Sequence, residues 1–266
     1  MDTNTSRLAI FKDFALRNMM EVERIVCEVY SDHCEGRVDF ALFDGGAHKG
    51  FHTKHMLALP GCKRVHAVEA DPFMAETFKE IMARDATVNP CGLVFHEAAL
   101  QNDKSCRKIR WRSSTTHVGR SSIVSENNNR QTIWRGNNEM GYRGDSEVVA
   151  TTIDTIVDHE ELPIPFVKLD LEGADLLALL GATETLRIKR PIVAFENSVH
   201  APEVHGFSLA DVATTFFQLD YVPMNFVGER IAADNWFGFF EAWLAPAESA
   251  DWLSAHLKSA LERRGL

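Results

Sequence analysis

Short apolar segments alternate with amphipathic segments through most of this chain of 266 residues. The apolar segments predict strands at residues 38–43, 64–69, 93–97, 166–170, 191–196 and 221–225, with a last strand near a sheet edge at 236–243. The amphipathic segments predict helices at residues 51–59, 72–83, 174–187 and 208–219. Regular alternation implies right-handed crossovers and a parallel sheet covered on both faces. We therefore predict an α/β, Rossmann-like fold with a mostly parallel, doubly wound sheet.

Residues 1–37 are predicted to form a helical segment that precedes this domain. Apolar residues there recur at intervals of three and four, which places them on one stripe of an amphipathic helix: Leu8, Phe11, Ala15, Met19, Val22, Val26 and Val29. We interpret this helix as a packing element. The main domain is expected over residues 38–246, followed by a C-terminal helix over residues 247–266.

The charge balance limits the classes of function. The chain has 28 basic and 38 acidic residues, and its net charge of −10 argues against general nucleic-acid binding. No apolar stretch approaches the roughly 20 residues that a membrane span needs. Five cysteines, without a Cys-x-x-Cys pair, indicate reduced thiols rather than a disulfide framework. Because the N-terminal residues also lack the features of a signal peptide, we expect a cytoplasmic protein.

A polar insertion interrupts the alternation after the third predicted strand. Residues 104–143 contain nine Lys and Arg residues against two acidic residues, a local balance of +7, and are rich in Ser, Thr and Asn. Long loops on a rigid scaffold often take part in binding, and a solvated surface loop is an equally good interpretation. If the insertion covers an acceptor site, its charge predicts a substrate with a carboxylate or phosphate group, such as a nucleotide-linked sugar.

The turn after the first predicted strand reads Asp44-Gly45-Gly46-Ala47-His48-Lys49-Gly50 and leads directly into a helix. Ligands of doubly wound sheets bind at such turns. Glu69 ends the next strand, 25 residues after Asp44, where a carboxylate can accept hydrogen bonds from two ribose hydroxyls. A dinucleotide fingerprint would need glycine instead of Ala47. The turn therefore favours a cofactor without phosphate, with Asp44 beside an ammonium group, and S-adenosylmethionine (SAM) fits this description.

Two ordered motifs resemble the FkbM family of SAM-dependent methyltransferases. The turn from Phe43 to Gly50, with Thr53, is similar to the family's cofactor loop, except that His48 stands where the family more often has Asn. The most specific downstream element is Lys-x-Asp-x-Glu-Gly, and the matching segments are residues 151–154, 166–173 and 180–182. The resemblance implies a class I methyltransferase fold and methyl transfer, usually to a hydroxyl of a sugar or natural-product scaffold.

Cofactor-binding residues are expected in this turn and at the ends of the strands that follow it: Asp44, Gly46, Ala47, His48, Gly50, Thr53, Glu69, Ala70, Glu97, Ala98 and Asp170. Glu97 ends the third strand and is a candidate partner for the adenine amino group. The candidate catalytic carboxylates are Asp170, Glu172 and Glu196, which follow two neighbouring strands. A carboxylate is expected because an alcohol is too weak an acid to ionise freely at neutral pH. Helix capping is the alternative role for Asp170 and Glu172.

Metal binding is a further possibility at the same strand ends. Asp170, Glu196 and Asn197 offer the oxygen ligands that a magnesium-dependent methyltransferase would use. A zinc site is disfavoured because His48, His52 and His55 are not part of a His-Glu-x-x-His element. Later in the chain, His200 and His205 are candidates to line an acceptor pocket, with ordinary loop residues as the alternative.

Two other classes of function stay open. A nicotinamide-dependent oxidoreductase would share the sheet and Glu69, and a non-catalytic interaction protein could have the same SAM-binding fold. The expected partner is a small-molecule acceptor, anionic or sugar-containing, and neither nucleic acid nor a membrane.

Overall fold

The computed structural model describes residues 18–89, 92–105, 107–114, 122–123, 142–197, 205–232 and 241–266. The helices in this part of the chain are α1 (Met19–Cys34), α2 (Phe51–Leu57), α3 (Pro72–Arg84), α4 (Ile153–Val157), α5 (Asp175–Leu180), α6 (Thr183–Lys189), α7 (Leu209–Gln218) and α8 (Ala247–Glu262). The strands are β1 (Phe40–Gly45), β2 (Cys62–Glu69), β3 (Leu93–Glu97), β4 (Ala99–Leu100), β5 (Lys108–Ser114), β6 (Ser122–Ile123), β7 (Tyr142–Thr151), β8 (Phe166–Leu169), β9 (Ile192–Glu196), β10 (Tyr221–Asn225) and β11 (Glu241–Pro246).

Seven of the described strands form the main sheet, in the order β10-β11-β9-β8-β1-β2-β3. β1 pairs in parallel with β2 on one side and with β8 on the other, and β8 pairs in parallel with β9. β11 runs antiparallel between β9 and β10. The predicted Rossmann-like, mostly parallel, doubly wound sheet is confirmed. Because the strand order reverses at β1, the carboxyl ends of β1 and its neighbours are the place where ligands of such sheets bind.

Helices cover both faces of this sheet. β1 is buried along its whole length, as expected for a central parallel strand. One face packs against α1 and α8, through residues that include Ile25, Tyr30, Leu253 and Leu257. The other face packs against α4 to α7, through residues that include Ile153, Leu176, Leu186 and Phe216. Burial of each large apolar side chain contributes about 1.5–3 kcal/mol, so these two layers hold the sheet in place.

The N-terminal helix packs on the domain as its apolar stripe predicts. Val22, Val26 and Val29 are buried in the core that α1 shares with α8. Met19 belongs to the predicted stripe but is 46% exposed, because it begins the helix. The earlier stripe residues Leu8, Phe11 and Ala15 lie outside the described residues. No helix in the described ranges has the length and apolar character to cross a bilayer.

The last strand is described over Glu241–Pro246, and it lies one strand in from the edge of the sheet, between β9 and β10; residues 236–240 of the predicted strand lie outside the described residues. Its run from Ala242 to Ala245 is fully buried, which is typical of an interior strand. One element differs from the prediction. The helix predicted at 174–187 is two helices, α5 and α6, separated at Gly181. The Gly181 carbonyl accepts a hydrogen bond from the Asp154 N–H (3.1 Å), so its backbone bonds outside the helix.

The polar insertion contains strands of a second sheet, in the order β4-β7-β5-β6. β5 pairs antiparallel with both β6 and β7. Alternation along β5 places Ile109 and Trp111 on one face and Arg110 and Arg112 on the other. Trp111 is buried and packs against Ala70, next to the end of β2. The insertion therefore contacts the carboxyl edge of the main sheet.

Candidate active site

A cavity of about 360 Å³ opens at the carboxyl ends of β1, β2 and β8, where the strand order predicts a ligand site. The turns after these three strands line it, together with parts of α1, α2 and the second sheet. The predicted site residues that line the cavity are Gly46, Ala47, His48, Glu69, Ala70, Ala98, Asp170 and Glu172. The predicted residues outside the lining are Asp44, Gly50, Thr53, Glu97 and Glu196.

The turn after β1 packs directly on the turn after β8. Gly46 has a left-handed backbone (φ +75°), and a Cβ atom there would lie 1.9 Å from the carbonyl oxygen of Asp170. The N–H groups of Gly46 and Ala47 both donate to the Val68 carbonyl at 2.9 Å. His48 is also left-handed (φ 50°), a conformation that Asn and His tolerate better than most residues. His48 can therefore replace the more usual Asn without a change in the turn.

Glu69, at the end of β2, presents a buried carboxylate to the cavity. Its Oε2 accepts a hydrogen bond from the His48 N–H and its Oε1 accepts one from the Asp71 N–H, each at 2.9 Å. Burial raises the pKa of Glu69, and these backbone hydrogen bonds oppose the rise. Each carboxylate oxygen can accept a further hydrogen bond. Glu69 can therefore bind a vicinal diol such as a ribose.

The cavity is apolar beside Glu69. The side chains in this part are Ala70, Met74, Ala98, Ala99, Leu100, Trp111 and Ile123. The Trp111 Nε1–H donates to Asp71 Oδ2 at 3.3 Å, and Asp71 Oδ1 caps α3 by accepting the N–H groups of Phe73 and Met74. The second sheet is thus tied to the diol-binding turn. An apolar slot with an indole wall suits a flat base.

Lys168 is a buried cation of the site. Its Nζ donates to the Gly46 carbonyl at 3.2 Å and lies 3.6 Å from Asp44 Oδ1 and 3.8 Å from Asp170 Oδ2. Burial alone would lower the pKa of Lys168, but the surrounding carboxylates, led by Asp170 and Asp44, raise it. Lys168 therefore stays charged and holds the turns after β1 and β8 together.

Asp44, Thr53 and Gly50 support the turn from behind. Asp44 is fully buried, and its Oδ2 accepts a hydrogen bond from the Thr53 hydroxyl at 2.5 Å. Gly50 precedes α2 with φ +77°, and a Cβ there would lie 2.1 Å from Met82 Cε of α3. These three residues, which the sequence predicts to bind the cofactor, support the conformation of the turn and do not line the cavity.

The three candidate catalytic carboxylates divide into two groups. Asp170 and Glu172 line the cavity, and the Asp170 side chain is 45% exposed. Glu196 lies next to the buried Asp175, whose Oδ1 accepts the Glu196 N–H and the Leu171 N–H at 3.3 Å. Burial, together with nearby carboxylates, raises the pKa of both Asp175 and Glu196. Asp170 and Glu172 are therefore the two within reach of a ligand in the cavity.

Glu97 and His205, two of the remaining candidates, lie outside the cavity lining. Glu97 Oε2 accepts a hydrogen bond from Lys79 Nζ at 2.7 Å in an exposed ion pair. His205 is outside the lining, and His200 falls in the range 198–204, which lies outside the described residues. Across the described ranges, no group of three or more His, Cys, Asp or Glu side chains is arranged to hold a metal ion. The structure thus gives no support for the magnesium site.

The residues present fit SAM. The Gly46 turn brings backbone to the cavity wall, Glu69 can bind the ribose, and the apolar slot can take adenine. The lining also contains charged groups, among them Lys168 with Asp170 at 3.8 Å, Glu23 and Glu172. Carboxylates there suit a ligand with positive sulfonium and ammonium groups.

Four residues of this site are absent from the sequence-based set. Lys168 stands inside the Lys-x-Asp-x-Glu-Gly element, so a charged residue within a buried strand is a usable signal. Trp111 follows the alternation of β5. Glu23 and His52 lie on two helices and meet only in the tertiary structure.

Several solved structures of low sequence identity are similar in structure to this chain. Methyltransferase FkbM from Methylobacillus flagellatus is 18% identical with a TM-score of 0.47; the match covers 79% of this chain and 45% of that one. Precorrin-6y C5,15-methyltransferase from Geobacter metallireducens is 10% identical with a TM-score of 0.40, over 82% and 84% of the two chains. An O-methyltransferase from Bacillus cereus, solved in complex with S-adenosylhomocysteine (SAH), is 10% identical with a TM-score of 0.40. The match covers 82% of this chain and 77% of that one. The chain thus spans under half the length of the Methylobacillus protein, and no curated protein matches it.

The methyltransferase FkbM domain matches residues 44–223 of the chain. The matched range begins at Asp44, directly before the Gly46 turn, and ends within β10. It therefore includes Glu69, Lys168 and Asp170 and covers well over half of the chain. The chain belongs to the FkbM family of methyltransferases.

Proposed function

We propose that this protein transfers a methyl group from SAM to a hydroxyl group of a small molecule. The observation that supports this proposal is the meeting of three features in one cavity. These are the close-packed Gly46 turn, the buried diol-binding carboxylate of Glu69 and the accessible carboxylate of Asp170. Family membership supports the same reaction class.

SAM, when bound, supplies a methyl group on a positively charged sulfur. The chain's own task is then to hold the acceptor oxygen in line with that methyl group. Orientation of this kind can contribute about 7–11 kcal/mol, whereas a general base contributes a factor of about 100 to 10,000. Glu69 would hold the ribose, Trp111 would contact the base, and the backbone from Gly46 to His48 would bound the amino-acid half.

Asp170 is the proposed acceptor of the hydroxyl proton. It lines the cavity and is 45% exposed, so an acceptor can reach it, and Lys168 holds its side chain at 3.8 Å. Glu172 shares the same wall and would assist. Glu196 lies outside the lining beside Asp175 and would act on this region only through its neighbours. We propose a sugar or natural-product acceptor. The net charge of the insertion favours an anionic acceptor, although Arg110 and Arg112 lie on the face of β5 opposite to the cavity-lining Trp111.

Calorimetry with S-adenosylhomocysteine (SAH, the demethylated product) and with NAD tests the proposed function. We expect one SAH per chain and no measurable NAD binding. Tight NAD binding without SAH binding would instead make the protein an oxidoreductase. If neither ligand binds, the cavity is not a cofactor site. Labelled SAM with hydroxylated sugars and natural products at two ionic strengths then tests the acceptor class, because attraction of an anionic acceptor weakens with salt.

Asp170→Asn keeps the shape of the side chain and removes its charge. We expect turnover to fall about 100-fold or more while SAH affinity stays nearly unchanged, because a proton acceptor acts in the transition state. Asp158→Asn, at a side chain that is 73% exposed, is the matched control. Full turnover of Asp170→Asn on the true acceptor contradicts the role. Loss of wild-type activity with a chelator, restored by magnesium, would show a metal requirement and would favour Asp170, Glu196 and Asn197 as candidate ligands.

A further inference from the structure

The N-terminal helix contributes a carboxylate to the cavity, in addition to its packing role. Glu23, Cys27 and Tyr30 follow one another at intervals of four and three, so they share one face of α1. This face meets α2, the helix that begins after the Gly46 turn. Glu23 and His52 both line the cavity, and the charge of the nearby Lys168 acts on the pKa of both.

His52 is held from both of its ring nitrogens. Its Nε2 lies 2.5 Å from Glu23 Oε2, and its Nδ1 lies 3.6 Å from Cys27 Sγ and 3.5 Å from the Tyr30 hydroxyl. The Tyr30 hydroxyl in turn donates to Cys27 Sγ at 3.0 Å. The His52 side chain is only 6% exposed, whereas that of Glu23 is 27% exposed. The imidazole is thus a buried support, and the carboxylate is the group that a ligand can reach.

The pair keeps Glu23 negatively charged. Burial alone would lower the pKa of His52, but its hydrogen bonds to Cys27 and Glu23 raise it to about 9, so the ring is protonated at neutral pH. Burial alone would raise the pKa of Glu23, but His52 and Lys168 lower it. Glu23 Oε1 accepts no hydrogen bond from the residues that the structure describes. A fixed carboxylate therefore faces the cavity with one oxygen available.

The other carboxylates around the cavity have different surroundings. Asp44, which the sequence favours as the ammonium partner, lies behind the turn and is bonded to Thr53. Glu69 accepts two backbone N–H groups beside the apolar slot. Asp170 pairs with Lys168 across the turn after β8. Glu172 lines the same wall as Asp170, which the proposed function assigns to the acceptor, whereas Glu23 pairs with a separate buried cation, His52.

We propose that Glu23 binds the α-ammonium group of the amino-acid half of SAM and that His52 positions it. The assignment rests on the proposed function, because it presumes SAM in this cavity. Adenine in the slot beside Trp111 and ribose on Glu69 would direct the rest of the molecule past the Gly46 turn, toward Lys168 and Glu23. A carboxylate at that side can accept a strong, charge-assisted hydrogen bond from the ammonium group.

Binding of two adenosine ligands to Glu23→Gln tests this assignment without any turnover. SAH contains the ammonium group, and 5′-methylthioadenosine contains the same nucleoside and sulfur without the amino-acid half. We expect Glu23→Gln to weaken SAH about 10-fold or more, the usual loss for a hydrogen bond to a charged group, with methylthioadenosine within twofold of wild type. His52→Gln should weaken SAH by a smaller factor and likewise spare methylthioadenosine.

Glu21→Gln is the matched control, because Glu21 is on the same helix and pairs with Arg24 and Arg264 away from the cavity. It should leave both affinities unchanged. Unchanged SAH affinity in Glu23→Gln overturns the assignment, and so does an equal loss for both ligands, which would indicate a disturbed helix. Loss for SAM without loss for SAH would place Glu23 at the sulfonium and also overturn it. If wild type binds neither ligand, the proposed function itself fails.

Discussion

At the scale of single residues, Trp111 offers a direct test of where the base binds. Its indole lines the apolar slot and donates to Asp71 at 3.3 Å. We expect SAH to change the intrinsic tryptophan emission and Trp111→Phe to remove most of that change. Because an aromatic contact contributes about 0.5–1.5 kcal/mol, Trp111→Leu, which removes the aromatic ring, should weaken both SAH and methylthioadenosine about 2- to 10-fold. Trp252→Phe, on α8, should preserve the emission change. An unaltered response in Trp111→Phe contradicts the placement of the base.

At the scale of elements, the attachment of α1 to α2 should depend on pH. His52 has an ordinary pKa of 6.5 when unfolded and about 9 when folded, so its contribution to stability is complete below pH 6.5 and is lost as the pH rises through 9. We expect the free energy of unfolding to fall between pH 7 and pH 9.5 in wild type. His52→Gln, which has no titrating ring, should show a smaller fall. The free energy of unfolding is measured by urea titration at each pH. If it falls equally with pH in the two proteins, the Glu23–His52 pair does not stabilise the helix.

At the scale of the whole molecule, the C-terminal helix is part of the main core rather than an appendage. Leu253, Leu257 and Leu261 of α8 are buried in the core that contains α1 and Trp243. Leu257→Ala should lower the free energy of unfolding by about 2–5 kcal/mol, since it removes buried methyl groups and leaves a cavity. Its SAH affinity should stay at the wild-type value because α8 does not line the cavity. Trp252→Ala, at a side chain that is partly exposed, should cost less. Loss of SAH binding in folded Leu257→Ala would contradict this separation of core and site.

The alternation of apolar and amphipathic segments is sufficient to predict the sheet and most helices. Parallel strands that are buried on both faces have short but continuous apolar sequences. The alternation also predicts Glu69 and Asp170, since strand ends follow from the same pattern. The break between α5 and α6 is not predictable in this way. At the break the Gly181 carbonyl accepts a hydrogen bond from the Asp154 N–H, and these two residues are far apart in sequence.

Local sequence thus specifies which strand ends present carboxylates and where a glycine must allow close packing, because both are consequences of short-range geometry. The partners of those groups depend on the tertiary structure. Asp44 follows its strand as predicted, yet Lys168 and Thr53 surround it and Glu23 faces the cavity instead. The contact between Glu23 and His52 joins residues 29 positions apart on separate helices, and only the packing of α1 on the sheet brings them to 2.5 Å. Periodicity along one element indicates which of its faces is buried, but it does not indicate which other element covers that face.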